Sequence, residues 1–465
     1  MSSAAADGSH TGAVQDAPPQ TLHRAIGASA MGNMTEWFDY GVYAYATTYV
    51  TAQFFPNMGT AATLSVFAVS FVFRPLGGVV LGPLGDRLGR KAVLATTILL
   101  MAAATFGIGL LPSHDTIGVW APVLLILLRV VQGFSAGGEY GGAATFMAEY
   151  SPDRRRGFFG SFLEFGTLAG FTLGASAVLL TATVVGEQAM TEWGWRIPFL
   201  MAGPLGVVGL YLRTRLEDTP VFQELEARHE EETSLKTEFQ DLFRDYKRPL
   251  FALGALVVAL NVCNYTLLAY TPTYLQETLG MAETPALLVV ILGQVGMMAV
   301  IPFSGRLSDR FGRKPMWWVS LVGLFVLAVP AYLLMAQDFA VALFGFGVLG
   351  LLYVLQLSTI SATFPAMFPT HVRFAGFAIA YNVSTALFGG TALYANEKLI
   401  AVTGSSLVPA FYMMGACVIG GLGLLFVPET ARASIRGRGL PGVDTPCPPY
   451  DRDLEREPAE AQEPA

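Results

Sequence analysis

Apolar runs of about 20 residues recur along the whole chain, the length a helix needs to cross the hydrocarbon of a bilayer. Val93–Leu111, Leu250–Tyr270, Trp317–Met335 and Phe411–Val427 are examples. Charged residues make up only 14% of the 465-residue chain and hydrophobic ones 53%, against about 25% charged in a soluble domain. A backbone in lipid must satisfy its own hydrogen bonds, so the runs read as helices. The expected fold is all-α and membrane-embedded, with twelve transmembrane helices in two pseudo-symmetric six-helix bundles.

Charge sets the expected orientation. Most of the 28 Lys and Arg fall in alternate loops, after the second, fourth, sixth, eighth and tenth apolar segments. Arg196 and Lys398 lie in or beside the intervening loops, and Arg74 and Arg129 lie inside spans. The positive-inside rule makes the Arg-rich loops cytoplasmic and, with twelve spans, both termini too. The expected location is the cytoplasmic (inner) membrane. Residues 1–24 lack the apolar core of a signal peptide and read as a disordered tail. Residues 25–213 read as one bundle, 214–249 as a charged cytoplasmic connector, 250–430 as the second bundle, and 431–465 as a Pro-rich, acidic, disordered tail. The three cysteines have no His partners at metal spacing, so no disulfide framework or metal site is expected.

The two bundles share a loop. Gly82, Asp86, Arg87, Gly89, Arg90 and Lys91 recur at one constant offset as Gly305, Asp309, Arg310, Gly312, Arg313 and Lys314. Each set lies between the second and third spans of its half. Fainter echoes pair Pro152 and Arg156 with Pro369 and Arg373, and Glu217 with Glu429. The glycines permit a tight turn, and the carboxylate can pair with neighbouring Arg or cap a helix N-terminus. Contacts that form in one conformation and break in another make a gate. Gly82, Asp86, Arg87, Arg90, Gly305, Asp309, Arg310 and Arg313 are the candidate cytoplasmic gates; the plainer reading is a loop whose cations only fix topology.

Charges inside spans are expensive and therefore functional candidates. Glu36 and Asp39 lie three apart on one helical face, which Tyr43 extends. Two such carboxylates tend not to ionise together, so one could carry a proton. Arg74 and Arg129 could meet a substrate carboxylate through a bidentate fork, or simply balance Glu36, Asp39, Glu139 and Glu164. Trp37, Tyr43, Tyr140, Tyr265, Tyr270 and Tyr381 could offer ring faces to a quaternary ammonium, although packing explains any one of them. Gly133–Gly137 matches the G-x-S-x-G pattern of serine hydrolases, but within a long apolar span its small residues better serve helix packing. Asn33 and Asn382 sit in glycosylation sequons that fall inside spans and are discounted.

The repeated loop resembles the hallmark of the major facilitator superfamily. Glu36–Tyr40, Phe73–Gly78 and Arg129–Tyr140 resemble its metabolite:proton symporter branch. Ser113–Pro122, Ser151–Gly157, Trp193–Phe199 and Pro365–Arg373 are similar to the proline/glycine betaine:proton symporters within that branch. The resemblance implies a transporter and no enzyme: proton-coupled import of zwitterionic osmolytes by alternating access, with the proton as coupling ion and no cofactor. Substrate and bilayer are the expected partners, without nucleic acid and without need of an oligomer. A symporter of carboxylates such as α-ketoglutarate, citrate or shikimate is the same-class alternative. A non-transporting membrane sensor is the different-class one. The long C-terminal coiled coil of that family's best-known type has no counterpart in Pro441–Ala465, which lacks heptads.

Overall fold

Without water to bond to, the apolar runs close their backbone hydrogen bonds within themselves, and the computed structural model places a helix at each. It describes residues 19–88, 90–214, 242–369, 372–435, 439–445 and 447–449. The membrane helices are α1 (Pro19–Tyr45), α2 (Thr60–Val72, continued by Arg74–Leu88), α3 (Arg90–Leu110), α4 (Trp120–Ala136, continued by Glu139–Tyr150), α5 (Arg156–Val185) and α6 (Arg196–Leu200 with Ala202–Thr214). The second half holds α7 (Lys247–Asn264, continued by further helical turns to Thr278), α8 (Glu283–Phe311), α9 (Arg313–Met335), α10 (Phe339–Leu357), α11 (Arg373–Phe388 with Thr391–Thr403) and α12 (Val408–Leu424). The expected connector lies mostly outside the described residues, and α1 starts at Pro19, ahead of the expected end of the tail.

Among the described residues, 7 helical stretches are long and apolar enough to span a bilayer, and three shorter apolar helices accompany them. Two helices fall outside both groups for reasons visible in their residues. α1 carries Glu36 and Asp39, and α11 is interrupted at Gly389 and Gly390. α7 departs from regularity in another way: Tyr265–Tyr270 and Tyr274–Thr278 are wound as π-helix around Pro272. Such widened turns recur at functional sites, and this one starts at a residue of the central cluster described below.

Within the first half α1 packs on α5, and α3 on α6; within the second α7 packs on α12, and α9 on α10. The halves meet where α5 lies along α8 and where α2 lies along α11. Lipid tails are as apolar as leucine, so helix association in a bilayer favours small residues that let backbones touch. The α2–α4 crossing is of this kind. A Cβ at Gly133 would enter the Ser70 carbonyl, one at Gly137 the Arg74 carbonyl, and one at Gly77 the Phe134 carbonyl. Ser135, inside α4, accordingly lies in a helix and not in a hydrolase elbow.

That crossing generates a stability prediction. Gly133→Val forces α2 and α4 apart, and overpacking costs about 1–3 kcal/mol, so the thermal midpoint in detergent should fall clearly. Gly142→Ala, where a new methyl meets nothing within 4 Å, should leave the midpoint unchanged.

Candidate functional site

The centre of the molecule is a set of charges wrapped in rings. Glu36 of α1 approaches Arg74, the first residue of the second segment of α2, with Oε1 and Nη2 3.4 Å apart. Both are buried. The guanidinium carbon lies 4.9 Å from the centre of the Tyr40 ring and 4.7 Å from that of Phe71, a favourable place for a cation away from water. Among the described residues, Arg74 Nε and Nη1 have no hydrogen-bond partner. Trp37 completes the cage, with ring centres 5.8 Å from Tyr40 and 6.0 Å from Tyr265. Tyr265 in turn lies 5.1 Å from Phe71. Asn33 aims Trp37 by accepting its indole N–H at 3.1 Å, while donating to the Leu163 carbonyl and Thr167 Oγ1 of α5, each at 2.7 Å.

Further along the same face of α1 is a second layer. The Arg129 guanidinium carbon sits 3.3 Å from the centre of the Tyr43 ring, and the Tyr43 hydroxyl donates to the Thr63 carbonyl at 3.1 Å. The charges acting on Asp39 are those of Arg129, Glu36 and Glu139. Among the described residues, neither Asp39 oxygen and none of the three Arg129 nitrogens has a hydrogen-bond partner. Glu164 accepts from Tyr140 Oη at 2.5 Å and Thr167 Oγ1 at 2.9 Å. Tyr140 stacks on Tyr381 of α11, with centres 4.5 Å apart and planes 15° apart, so this layer spans both halves. Glu139 is buried at the start of the second segment of α4. Tyr270 stands apart, donating to Glu397 at 2.8 Å.

Both ends of this centre are closed by contacts between the halves. At the Arg-rich face, Asp309 near the end of α8 accepts from Gly157 N and Phe158 N of α5, each at 2.8 Å, and from Arg313 Nη2 at 2.6 Å. The first amides of a helix have no intrahelical acceptor and carry its positive dipole end, so a carboxylate suits them. The backbones touch there: a Cβ on Gly305 would enter the Gly157 carbonyl. Glu429 caps α9 in the same way, accepting from Arg313 N at 2.9 Å and Lys314 N at 3.1 Å. At the opposite face Tyr45 Oη donates to the Leu268 carbonyl at 2.6 Å and accepts from Gln294 Nε2 at 2.9 Å. Tyr49 donates to Glu283 Oε2 at 2.5 Å. The arrangement is occluded.

A profile of the Major Facilitator Superfamily matches residues 30–395. The chain belongs to the Major Facilitator Superfamily. It is 45% identical over 428 residues to the proline/betaine transporter of Escherichia coli K12, covering 90% of this chain and 85% of that one. It is 42% identical over 444 residues to the ectoine/proline transporter ProP of Corynebacterium glutamicum, with 92% and 88% covered. The fold is similar to that of the proton:xylose symporter XylE bound to 6-bromo-6-deoxy-D-glucose, with a TM-score of 0.70, 19% identity, and 91% and 98% covered. A Major Facilitator chain is a multi-pass membrane transporter and not an enzyme.

Of the sequence-derived residues, Glu36, Trp37, Arg74 and Tyr265 meet in the first layer; Asp39, Tyr43 and Arg129 in the second; Tyr140, Glu164 and Tyr381 beside them. In the second-half loop, Gly305, Asp309 and Arg313 lie at the closure, and Arg310 offers its carbonyl to Arg432. The side chains of the first-half loop, Gly82, Asp86, Arg87 and Arg90, lie outside the described residues, as does Glu217. Tyr40, Phe71 and the opposite-face set Tyr45, Tyr49, Glu283 and Gln294 escaped sequence reading. Aromatic and amide side chains in apolar runs look like packing until a partner on another helix is known. Of the expected tail, residues 431–435, 439–445 and 447–449 are described. Ala431 and Ala433 are fully buried and Ile435 is 3% exposed; the Ala433 and Ile435 carbonyls are acceptors for the buried Arg156 and Arg373, a role that composition does not reveal.

The Asp309 cap generates a prediction. Asp309→Asn keeps one acceptor oxygen and loses the charge, removing charge-assisted bonds of about 1.5–3 kcal/mol. Spin labels at Arg154→Cys and Phe311→Cys should then report a longer and broader distance distribution than in the parent.

Proposed function

We propose that this chain imports zwitterionic osmolytes of the proline, betaine and ectoine type by proton symport. In this reading the Arg-rich loops and both termini face the cytoplasm across the inner membrane. One observation carries it: two Arg74 nitrogens, Nε and Nη1, have no acceptor among the described residues and lie beside Glu36, inside a cage of Trp37, Tyr40, Phe71 and Tyr265. A zwitterion answers every part of that arrangement. Its carboxylate takes the free guanidinium N–H groups. Its ammonium, quaternary in betaine, settles against ring faces near the Glu36 carboxylate. Two like pairs then stand in place of one loose pair, and no net charge enters the protein. A dicarboxylate would bring its second anion towards Glu36, so the same geometry disfavours that reading. The similarity to proline/betaine and ectoine/proline transporters supports the same substrate class.

Asp39 is the proposed proton site. Protonated, it is a neutral group beside Tyr43 and Thr105; ionised, it is drawn to Arg129. The two states thus favour different positions of α1 against α4. The Asp309 and opposite-face contacts form and break in alternation, as gates do.

Proteoliposomes with an alkaline interior should accumulate labelled betaine or proline, and collapsing the proton gradient should abolish accumulation. Unlabelled betaine, proline and ectoine should compete, whereas α-ketoglutarate and citrate should not; inhibition by the acids alone would overturn the substrate reading. Arg74→Lys, which keeps the charge and loses the fork, should raise KM by roughly tenfold or more. Asp39→Asn should abolish gradient-driven accumulation while sparing substrate counterflow. Equal loss of both activities would remove Asp39 from the coupling role.

A further inference from the structure

The segment after α12 lies across the Arg-rich face and touches both halves. It leaves α12 at Val427, passes the Glu429 cap and buries Thr430, Ala431 and Ala433 completely. Arg432 takes the left-handed conformation, with φ 63°, uncommon for a side chain with a Cβ. That turn sends its guanidinium to the Asp309 and Arg310 carbonyls at 2.5 and 3.1 Å, at the C-terminal end of α8, and to the Pro448 carbonyl at 2.7 Å. A cation at a helix C-terminus meets carbonyls that have no intrahelical donor.

Beyond it the segment changes halves. The Ala433 carbonyl accepts from Arg156, at the start of α5 in the first half. The Ile435 carbonyl accepts from Arg373, at the start of α11 in the second. The side chain of Ile435 packs between Ala148 of the first half and Ala366 of the second. Arg156 and Arg373 are the residues paired by the internal repeat, so one strap engages both members of a pseudo-symmetric pair. A returning turn, Leu440–Thr445, is locked onto it. Gly442 has φ 77°, and a Cβ there would enter the Glu429 carbonyl. Thr445 Oγ1 donates to the Ser434 carbonyl at 3.4 Å. Burial first, and the Glu429 charge beside it, hold the Cys447 thiol above its usual range, so it stays protonated and donates to the Glu429 carbonyl at 3.2 Å.

We infer that Ala431–Ile435, with its locking turn, is a latch that holds the Arg-rich face closed and must lift before that face can open. It is covalently part of the second half, yet it supplies an acceptor to a buried arginine of the first. Separation of the halves at this face breaks the Arg156–Ala433 bond or pulls the strap from its seat. The latch therefore biases the resting population towards the state closed on this side. Its test needs neither substrate nor proton gradient, so it stands or falls apart from the transport reading.

The reporter is Ser361→Cys, buried in the parent and facing Gly160 across the α5 interface near this face, in a Cys447→Ser background. Membrane vesicles of both orientations are treated with a membrane-impermeant maleimide. Truncation after Thr430 should speed labelling from the Arg-rich side roughly tenfold, the population shift expected when a charge-assisted hydrogen bond is lost. Gly442→Ala in the full-length chain should act in the same direction. A second reporter at the opposite face, Thr63→Cys, should label no faster than in the parent. Unchanged or slower labelling of Ser361→Cys in both variants overturns the latch, as does faster labelling at both faces, which means general loosening. Where the truncated chain fails to accumulate, Gly442→Ala decides on the same criteria.

Discussion

A guanidinium in hydrocarbon must be held by something, and the site depends on how Arg74 is held. Glu36 supplies one loose contact and the rings of Tyr40 and Phe71 supply the rest. Full satisfaction by carboxylates would make a structural ion pair, closed to any ligand. Partial satisfaction leaves directional donors pointing into a place that excludes water, where a charge-assisted hydrogen bond is strongest. Everything that positions Arg74 follows from small residues: α2 can bend after Phe73 and lie on the backbone of α4 because Gly133 and Gly137 have no side chain to interpose. The same contact brings Arg129, one turn before Gly133, towards Asp39.

The Arg-rich face repeats one device. A charged side chain crosses a loop to meet the end of a helix that is not its own: Asp309 on α5, Glu429 on α9 and Arg432 on α8. Each contact joins groups that would otherwise be unsatisfied at a membrane surface, so each is stable when made and costly when half-broken. Closure of this face is therefore discrete. At the opposite face the joints are neutral hydroxyls and amides with two carboxylates, Glu283 and Glu277, each accepting from a hydroxyl. The two ends of the transporter are thus held by different chemistry.

The helices, the two-fold repeat and the intramembrane charges were legible because each is a local property: a run length, a spacing, a charge in the wrong solvent. Glu36, Arg74, Asp39 and Arg129 stand out in the sequence for that reason. Tyr45, Tyr49 and Gln294 do not, since their roles exist only when α1 meets α7 and α8. The described part of the C-terminal segment was illegible for the converse reason. Its Pro, Gly and acidic residues look like solvated chain, but its contribution is made by backbone carbonyls, which every residue carries. The echoes of Arg156 in Arg373 and of Glu217 in Glu429 were the sequence signals pointing there, and the first named the donors without their acceptors.

The Gly157–Gly305 crossing also has a mechanical meaning. Two backbones in contact near one end of long helices form a fulcrum with very unequal arms. α8 has 29 residues, so it is about 40 Å long. A tilt of about 10° about Gly305, near its Arg-rich end, moves the other end by roughly 6 Å, while the atoms at the fulcrum barely shift. A small rotation that leaves the Asp309 cap intact therefore separates the helix ends at the far face. The reverse opening has no such leverage, because its short arm must move and the cap must break first.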